Sequence, residues 1–247
     1  MKKIASKGAI IRMKLHGNPG TPEGRRLGGM RSLKTHALRE SNFKTLRKIN
    51  KPRHSSRLAE LLGIFMGDGH VHTYQATVCT NSETDIQHAF YIKHTLEELF
   101  SIPVSISYAK DRKACTVVAS SREVCSFLNK HGMPIGNKLT KGLIIPSWIV
   151  ENISYRRAFL RGLIDTDGCV YKDNHTIKGV IYSSTCIAFT SASPELRRFV
   201  TDSLIKENLW PTVSGRDVRL RRKKDVHSYA EIIGFSNPKH SQKIGVE

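Results

Sequence analysis

The chain has 247 residues, of which 40 are Lys or Arg and 21 are Asp or Glu, giving a net charge of +19 and an isoelectric point near 10.0. That balance excludes an acidic or neutral housekeeping chain, and 39% hydrophobic with 25% charged residues is a globular composition, sufficient for one large or two small domains. Apolar runs such as Leu58 to Met66 are far too short to cross a bilayer and the N-terminus lacks a signal-peptide cleavage pattern, so a cytoplasmic protein without a membrane partner is expected.

The charge is concentrated at the start. Residues 1 to 57 hold 16 Lys/Arg against Glu23 and Glu40, a net +14, whereas the remainder carries 24 basic and 19 acidic residues, a net +5. A polyanion is the natural partner of such a segment, because each neutralised phosphate releases condensed counterions. Nucleic acid is favoured over a membrane, since the Gly- and Pro-rich stretch from Gly17 to Ser32 cannot present a continuous apolar face. A short helix is expected within 25–40, after the Gly28-Gly29 pair, with Arg31, Lys34 and Arg39 exposed on it; these, with Arg25 and Arg26, would be available to a DNA backbone, the segment ordering on it. Lys51-Pro52-Arg53-His54 reads as the hinge into the body, Pro52 pushing the preceding residue out of helical geometry.

From there the chain repeats itself. Leu61-Leu-Gly-Ile-Phe-Met-Gly-Asp-Gly69 recurs as Leu160-Arg-Gly-Leu-Ile-Asp-Thr-Asp-Gly168 at an offset of 99 residues, and Thr80-Asn81-Ser82 is echoed by Thr190-Ser191-Ala192 at an offset of 110. In the first copy a helix is predicted from an N-cap at Ser56 through Met66, followed by strand-like Val71 to Thr80. An amphipathic helix then places Ile86, Ala89, Phe90, Leu96, Leu99 and Phe100 on a core face. Strands over Val104 to Tyr108 and Ala114 to Ala119 lead to a helix opened by a Ser120/Glu123 capping box and running to Lys130. The second copy reads alike. It has a helix from Ser154 through Asp165, a strand region Ile177 to Thr190, a helix burying Leu196, Phe199, Val200, Ser203 and Leu204, and strand character over Val213 to Leu220. Two copies of one unit in one chain make a pseudo-dimer, so a monomer is expected.

Small residues recur every four positions on both motif helices, at Ala59, Gly63 and Gly67 and at Ala158, Gly162 and Thr166. Such a stripe lets two helix backbones approach closely, and pairing the helices brings Asp68 and Asp167 together at their C-terminal ends. Two carboxylates crowded at the negative ends of helix dipoles call for a divalent cation, and hard oxygen donors suit Mg²⁺, with Mn²⁺ as a substitute. Asp165 has no acidic counterpart, Met66 standing in its place, and reads as a structural carboxylate. The five cysteines are odd in number without CxxC spacing, and His70, His72 and Cys79 lack a convincing fourth ligand, so neither disulfides nor zinc are indicated.

Both nine-residue stretches resemble the LAGLIDADG motif, and their spacing resembles that of the single-chain, two-motif LAGLIDADG homing endonucleases, over about residues 57 to 247. The resemblance implies an α+β fold of two tandem αββαββα repeats related by a pseudo-two-fold axis, each with an antiparallel sheet that saddles DNA. The domains would be a basic arm over 1–54, repeat one over 55–150 and repeat two over 151–247. It implies that Asp68 and Asp167, with the carbonyls of Gly67 and Thr166, hold the catalytic metals, and that a basic residue stands beside them late in each repeat. Lys138 and Lys239 are the first candidates, followed by Lys141 and Lys243. On the saddle, alternation along the strands sends residues such as His70, His72, Tyr74, Gln75 and Thr77 toward the groove. Arg216, Arg219, Arg221, Arg222, Lys223 and Lys224 crowd a hairpin-like stretch suited to phosphates and guanines.

The leading reading is therefore a Mg²⁺-dependent, site-specific endonuclease making double-strand breaks in a long DNA site. Two alternatives share the fold: a non-catalytic DNA-binding regulator, against which both retained acids argue, and a maturase that binds intron RNA. An intein-embedded nuclease is disfavoured, the segments at Met1 and Gly245-Val246-Glu247 lacking the splicing nucleophile and terminal His-Asn.

Overall fold

The computed structural model describes residues 2–16, 20–38, 48–177 and 180–244, and the chain divides into two compact units, Met1–Arg47 and Lys48–Glu247. Arg39, Glu40 and the Gly245-Val246-Glu247 segment lie outside the described residues.

The described residues of the first unit form two helices, α1 (Lys2–His16) and α2 (Pro22–Leu38). The basic segment was expected to carry only a short helix after the Gly pair; instead α2 starts at Pro22 and passes through Gly24, Gly28 and Gly29. The start signal was in the sequence. Thr21 Oγ1 accepts the N–H of Gly24 at 3.1 Å, Pro22 pre-sets the first helical φ, and Glu23 sits at the positive end of the dipole. Arg25, Arg26, Arg31 and Lys34 are all solvent-exposed along it.

The second unit runs α3 (Ser56–Gly67), β1 (Gly69–Val71), β2 (Ala76–Thr80), α4 (Ile86–Phe100), β3 (Ser105–Tyr108), β4 (Cys115–Ala119) and α5 (Arg122–Lys130). The short helices α6 (Lys138–Lys141) and α7 (Ser147–Glu151) lead into a second round: α8 (Ile153–Asp167), β5 (Gly168–Ile177), β6 (Val180–Thr190), α9 (Pro194–Lys206), β7 (Thr212–Ser214), β8 (Asp217–Leu220), α10 (Lys223–Ile232) and α11 (Pro238–Ile244). Each round builds one four-stranded antiparallel sheet, ordered β1-β2-β4-β3 and β5-β6-β8-β7. The two sheets have the same topology, as the sequence repeat requires.

Three helix starts fall one or two residues from the expected cap, because a neighbouring side chain reaches the free amide first. Ser55 accepts from Leu58 N at 3.2 Å, Ser121 from Val124 N at 3.3 Å, and Asn152 from Tyr155 N at 3.1 Å. Phe90, expected in the core, is 44% exposed; α4 is phased so that His88, Ala89, Ile92, Leu96 and Phe100 are buried, which turns Phe90 outward. The second stripe, Leu196, Phe199, Val200, Ser203 and Leu204, is buried throughout.

Between the sheets and their covering helices lies a core that is continuous from Leu58 to Ile233. At its centre α3 packs against α8 through the small-residue stripe. A Cβ on Gly63 would overlap the carbonyl oxygen of Phe159, and one on Gly162 would overlap the carbonyl oxygen of Glu60 and lie 2.9 Å from Ile64 N. Ala59 and Ala158 are fully buried on the same seam. Glycine is needed here for close backbone approach rather than for an unusual dihedral.

Candidate functional site

Because the seam runs the length of both motif helices, their C-terminal ends meet. Asp68 caps α3, its N–H donating to Ile64 O at 3.1 Å, and Asp167 is the last residue of α8. The carboxyl carbon of Asp167 lies 3.7 Å from where a Cβ on Gly67 would stand, and the Thr166 side chain would overlap that Cβ, so only glycine at 67 lets the two ends touch. Thr166 Oγ1 donates to Gly162 O and Leu163 O at 3.0 and 3.1 Å, and the same hydroxyl faces Gly67 across the seam.

Both acids are held above the ordinary carboxylate range. Burial is the first cause for each; Asp167, with Asp68 as its charged neighbour, is pushed up to about 6 while Lys138 opposes the rise. Asp68 reaches solvent, yet the mass packed around the helix end still disfavours its charge; Asp85 adds to the rise and Lys138 and Lys239 counter it.

Lys138 stands where the late basic residue was expected. Its Nζ donates to Met66 O at 3.1 Å, to Gly67 O, and to Gly69 O at 3.2 Å, covering the free carbonyls at the end of α3. Burial lowers its pKa, against the pull of Asp167 and Asp68. Lys239 is placed differently: its Nζ pairs with Asp85 Oδ1 at 2.7 Å. Lys141 Nζ donates to Ile135 O at 2.7 Å, and Lys243 lines a shallow cleft with Val170, Tyr171, Lys172 and Gln242.

Beneath the acids is a polar layer that sequence reasoning missed. Glu60, 2% exposed, accepts Tyr91 Oη at 2.8 Å, Arg161 Nη2 at 2.7 Å and the Ser236 hydroxyl, tying α3, α4, α8 and the loop before α11 together. Asn237, 1% exposed, donates through Nδ2 to Asp85 Oδ1 at 2.7 Å. Asp165 is buried and accepts the N–H groups of Ser236 and Asn237 at 2.7 and 3.2 Å, the structural role expected of it. The sequence signal for this layer was slight: a charged Glu60 inside an apolar helix, and an Asn at the same place in each repeat.

Burial pushes the Asp165 carboxyl up to about 8. Between the unfolded range near 4 and that value the folded chain keeps a proton that the unfolded chain releases, so this group makes stability fall as pH rises. Asp165→Asn keeps the acceptor oxygen and removes the titration. Urea unfolding at about pH 5 and about pH 8 is expected to show the variant gaining on the wild type at the higher pH; an equal difference at both pH values would contradict the assignment.

On the saddle, the register puts His70, Thr77, Cys79, Thr116 and Val118 on the face opposite the core residues Val71, Ala76, Val78 and Val117. His72 and Tyr74 are exposed at the β1–β2 turn, Tyr74 by 64%, and Gln75 Nε2 donates to Ser120 Oγ at 3.3 Å. In the second sheet the expected basic hairpin is divided. Arg216 lies in the β7–β8 turn beside Gly215 and Arg219 is on β8, where it pairs with Asp217. Arg221 and Arg222 follow the strand, the latter over the Trp210 ring at 5.6 Å. Lys223 and Lys224 open α10 rather than extending the hairpin, the N-cap position falling at Arg222, whose side chain makes no cap bond.

The architecture, two antiparallel sheets carried by a pair of seam-packed motif helices, is the two-repeat LAGLIDADG fold. Residues 154–237 match the family model described as the LAGLIDADG-like domain, so the second repeat is identified at the level of sequence as well. Full-length WhiA from Thermatoga maritima is similar in structure, with a TM-score of 0.51 and 19% identity over 79% of this chain and 61% of WhiA. The meganuclease I-SmaMI, solved on uncleavable DNA, also has a TM-score of 0.51, with 9% identity over 78% of this chain and 88% of its own. Among curated proteins, the tRNA-splicing ligase RtcB of Methanopyrus kandleri is 28% identical over 212 residues, which is 77% of this chain but 20% of the ligase. The chain thus spans a fifth or less of the length of the first curated relatives it matches.

Proposed function

We propose that this chain is a site-specific homing endonuclease that makes metal-dependent double-strand breaks in a long DNA target. The observation that carries the reading is the meeting of Asp68 and Asp167 at the ends of two helices, burial and, at Asp167, the neighbouring Asp68 carboxylate holding both acids above their usual range. A regulator that only binds DNA has no use for two carboxylates crowded where helix dipoles already repel them.

The residues present fit a divalent cation. The donor set is two carboxylates and the main-chain carbonyl of Thr166, joined by that of Gly67 once the Lys138 ammonium moves off it, all hard oxygen, which suits Mg²⁺ or Mn²⁺ completed by water and phosphate. A bound Mg²⁺ would supply Lewis acidity toward the phosphate and acidify a water. Asp68 and Asp167 orient what binds between the strands, and Lys138, anchored on the α3 carbonyls, presents positive charge where a leaving oxygen develops its own.

Duplex recognition would use the outward strand faces, with His70, His72, Tyr74, Gln75 and Thr77 on one half-site and Arg216, Arg219, Arg221 and Arg222 on the other. Lys223 and Lys224, with Arg25, Arg26, Arg31 and Lys34 of the first unit, would serve phosphates. Incubating the protein with a randomised duplex library in Mg²⁺ and sequencing the ends tests the proposal. A single enriched site cut on both strands is expected; preference for a folded intron transcript over every duplex would favour the maturase reading instead.

A further inference from the structure

The two repeats are not equivalent where they meet the acids. Asn137 and Asn237 occupy the same place, each accepting a backbone N–H two residues on, from Leu139 at 2.9 Å and from Lys239 at 3.2 Å. By that alignment the counterpart of Lys138 is Pro238, and Lys239 matches Leu139. Lys239 therefore approaches the site from a different position than Lys138 and needs a different anchor.

Asp85 is that anchor. It stands at the N-cap of α4 but makes no cap bond, whereas Ser193, at the N-cap of α9, caps its helix in the ordinary way, accepting from Leu196 N at 3.3 Å. An acid that forgoes its own helix at a cost of about 1 kcal/mol must gain elsewhere. Its carboxylate, 6% exposed, accepts Thr84 Oγ1 at 2.9 Å, Asn237 Nδ2 at 2.7 Å and Lys239 Nζ at 2.7 Å. The first repeat thus holds the late basic residue of the second, while the hydrogen bonds of Lys138 go to main-chain carbonyls of its own repeat.

Resting on the proposed nuclease function, we infer that Asp85, with Asn237, is a positioning residue for one of the two strand cuts: it fixes Lys239, while Lys138 is held independently on the carbonyls at the end of α3. The two centres would then respond separately to substitution. Loss of a supporting partner of this kind slows its own reaction by about 10–100-fold.

The test follows each strand of a cognate duplex, labelled at its 5′ ends in different colours, with wild type, Asp85→Asn, Asp85→Glu and Lys239→Met in Mg²⁺. Asp85→Asn and Lys239→Met are expected to slow the same strand by about 10–100-fold, accumulating nicked duplex, with the other strand cut at the wild-type rate and Asp85→Glu partly restored. Lys239→Met is included because it removes a side chain that is 31% exposed and leaves Asp85 its bonds to Thr84 and Asn237. Equal slowing of both strands, or different strands affected by Asp85→Asn and Lys239→Met, would overturn the assignment while leaving the nuclease reading intact. No cut by the wild type on any duplex would overturn both.

Discussion

Asp68→Asn and Asp167→Asn are each expected to reduce double-strand cleavage by about 10³-fold or more, since several kcal/mol of charge stabilisation at the phosphate go with the ligand. DNA affinity measured without metal should hold or rise, because each substitution removes a negative charge from a surface that receives phosphates. Calorimetric titration with Mn²⁺ alone gives a second readout: the wild type is expected to bind and both variants to bind more weakly. Undiminished Mn²⁺ binding by the double variant would place the metal elsewhere.

Gly162→Val is expected to destabilise the second unit by about 3 kcal/mol or more, the upper part of the overpacking range, because the added carbon meets the Glu60 carbonyl and the Ile64 amide rather than a flexible side chain. For a unit of this size that is a fall of about 6–12 °C in the thermal midpoint. Gly29→Ala on α2, where a Cβ meets nothing within 4 Å, serves as the control and should leave that transition in place. An unshifted midpoint for Gly162→Val would mean that α3 and α8 do not pack as closely as described.

What was readable in the sequence is what repeats or alternates. The two motif helices announced themselves by recurrence, the seam by glycine and alanine every fourth residue, and the outward face at His70 and Thr77 by the period of a strand. Helix ends were less certain because Ser55 and Ser56, or Ser120 and Ser121, offer the same hydroxyl one residue apart. Phe90 was misplaced because Ala89 and Phe90 are adjacent and either fits a helical stripe until His88 is known to be inside. The polar layer left only the slight trace of Glu60 and the paired asparagines: Asn237 and Asp85 are 152 residues apart, and Glu60 and Ser236 are 176 apart, so nothing local links them. Treating Lys138 and Lys239 as equivalents came from their similar surroundings in sequence, where a one-residue shift in register is invisible until the Asn137 and Asn237 hydrogen bonds align the loops.

The most direct test of the nuclease reading is incubation of the wild-type protein with the DNA flanking its own gene, rejoined as an uninterrupted locus, with Mg²⁺ and with chelator. A defined double-strand break at the junction, present only with the metal, is the expected result. Tight binding to that junction with no cut in either Mg²⁺ or Mn²⁺ would contradict it and leave a DNA-binding protein on a nuclease fold.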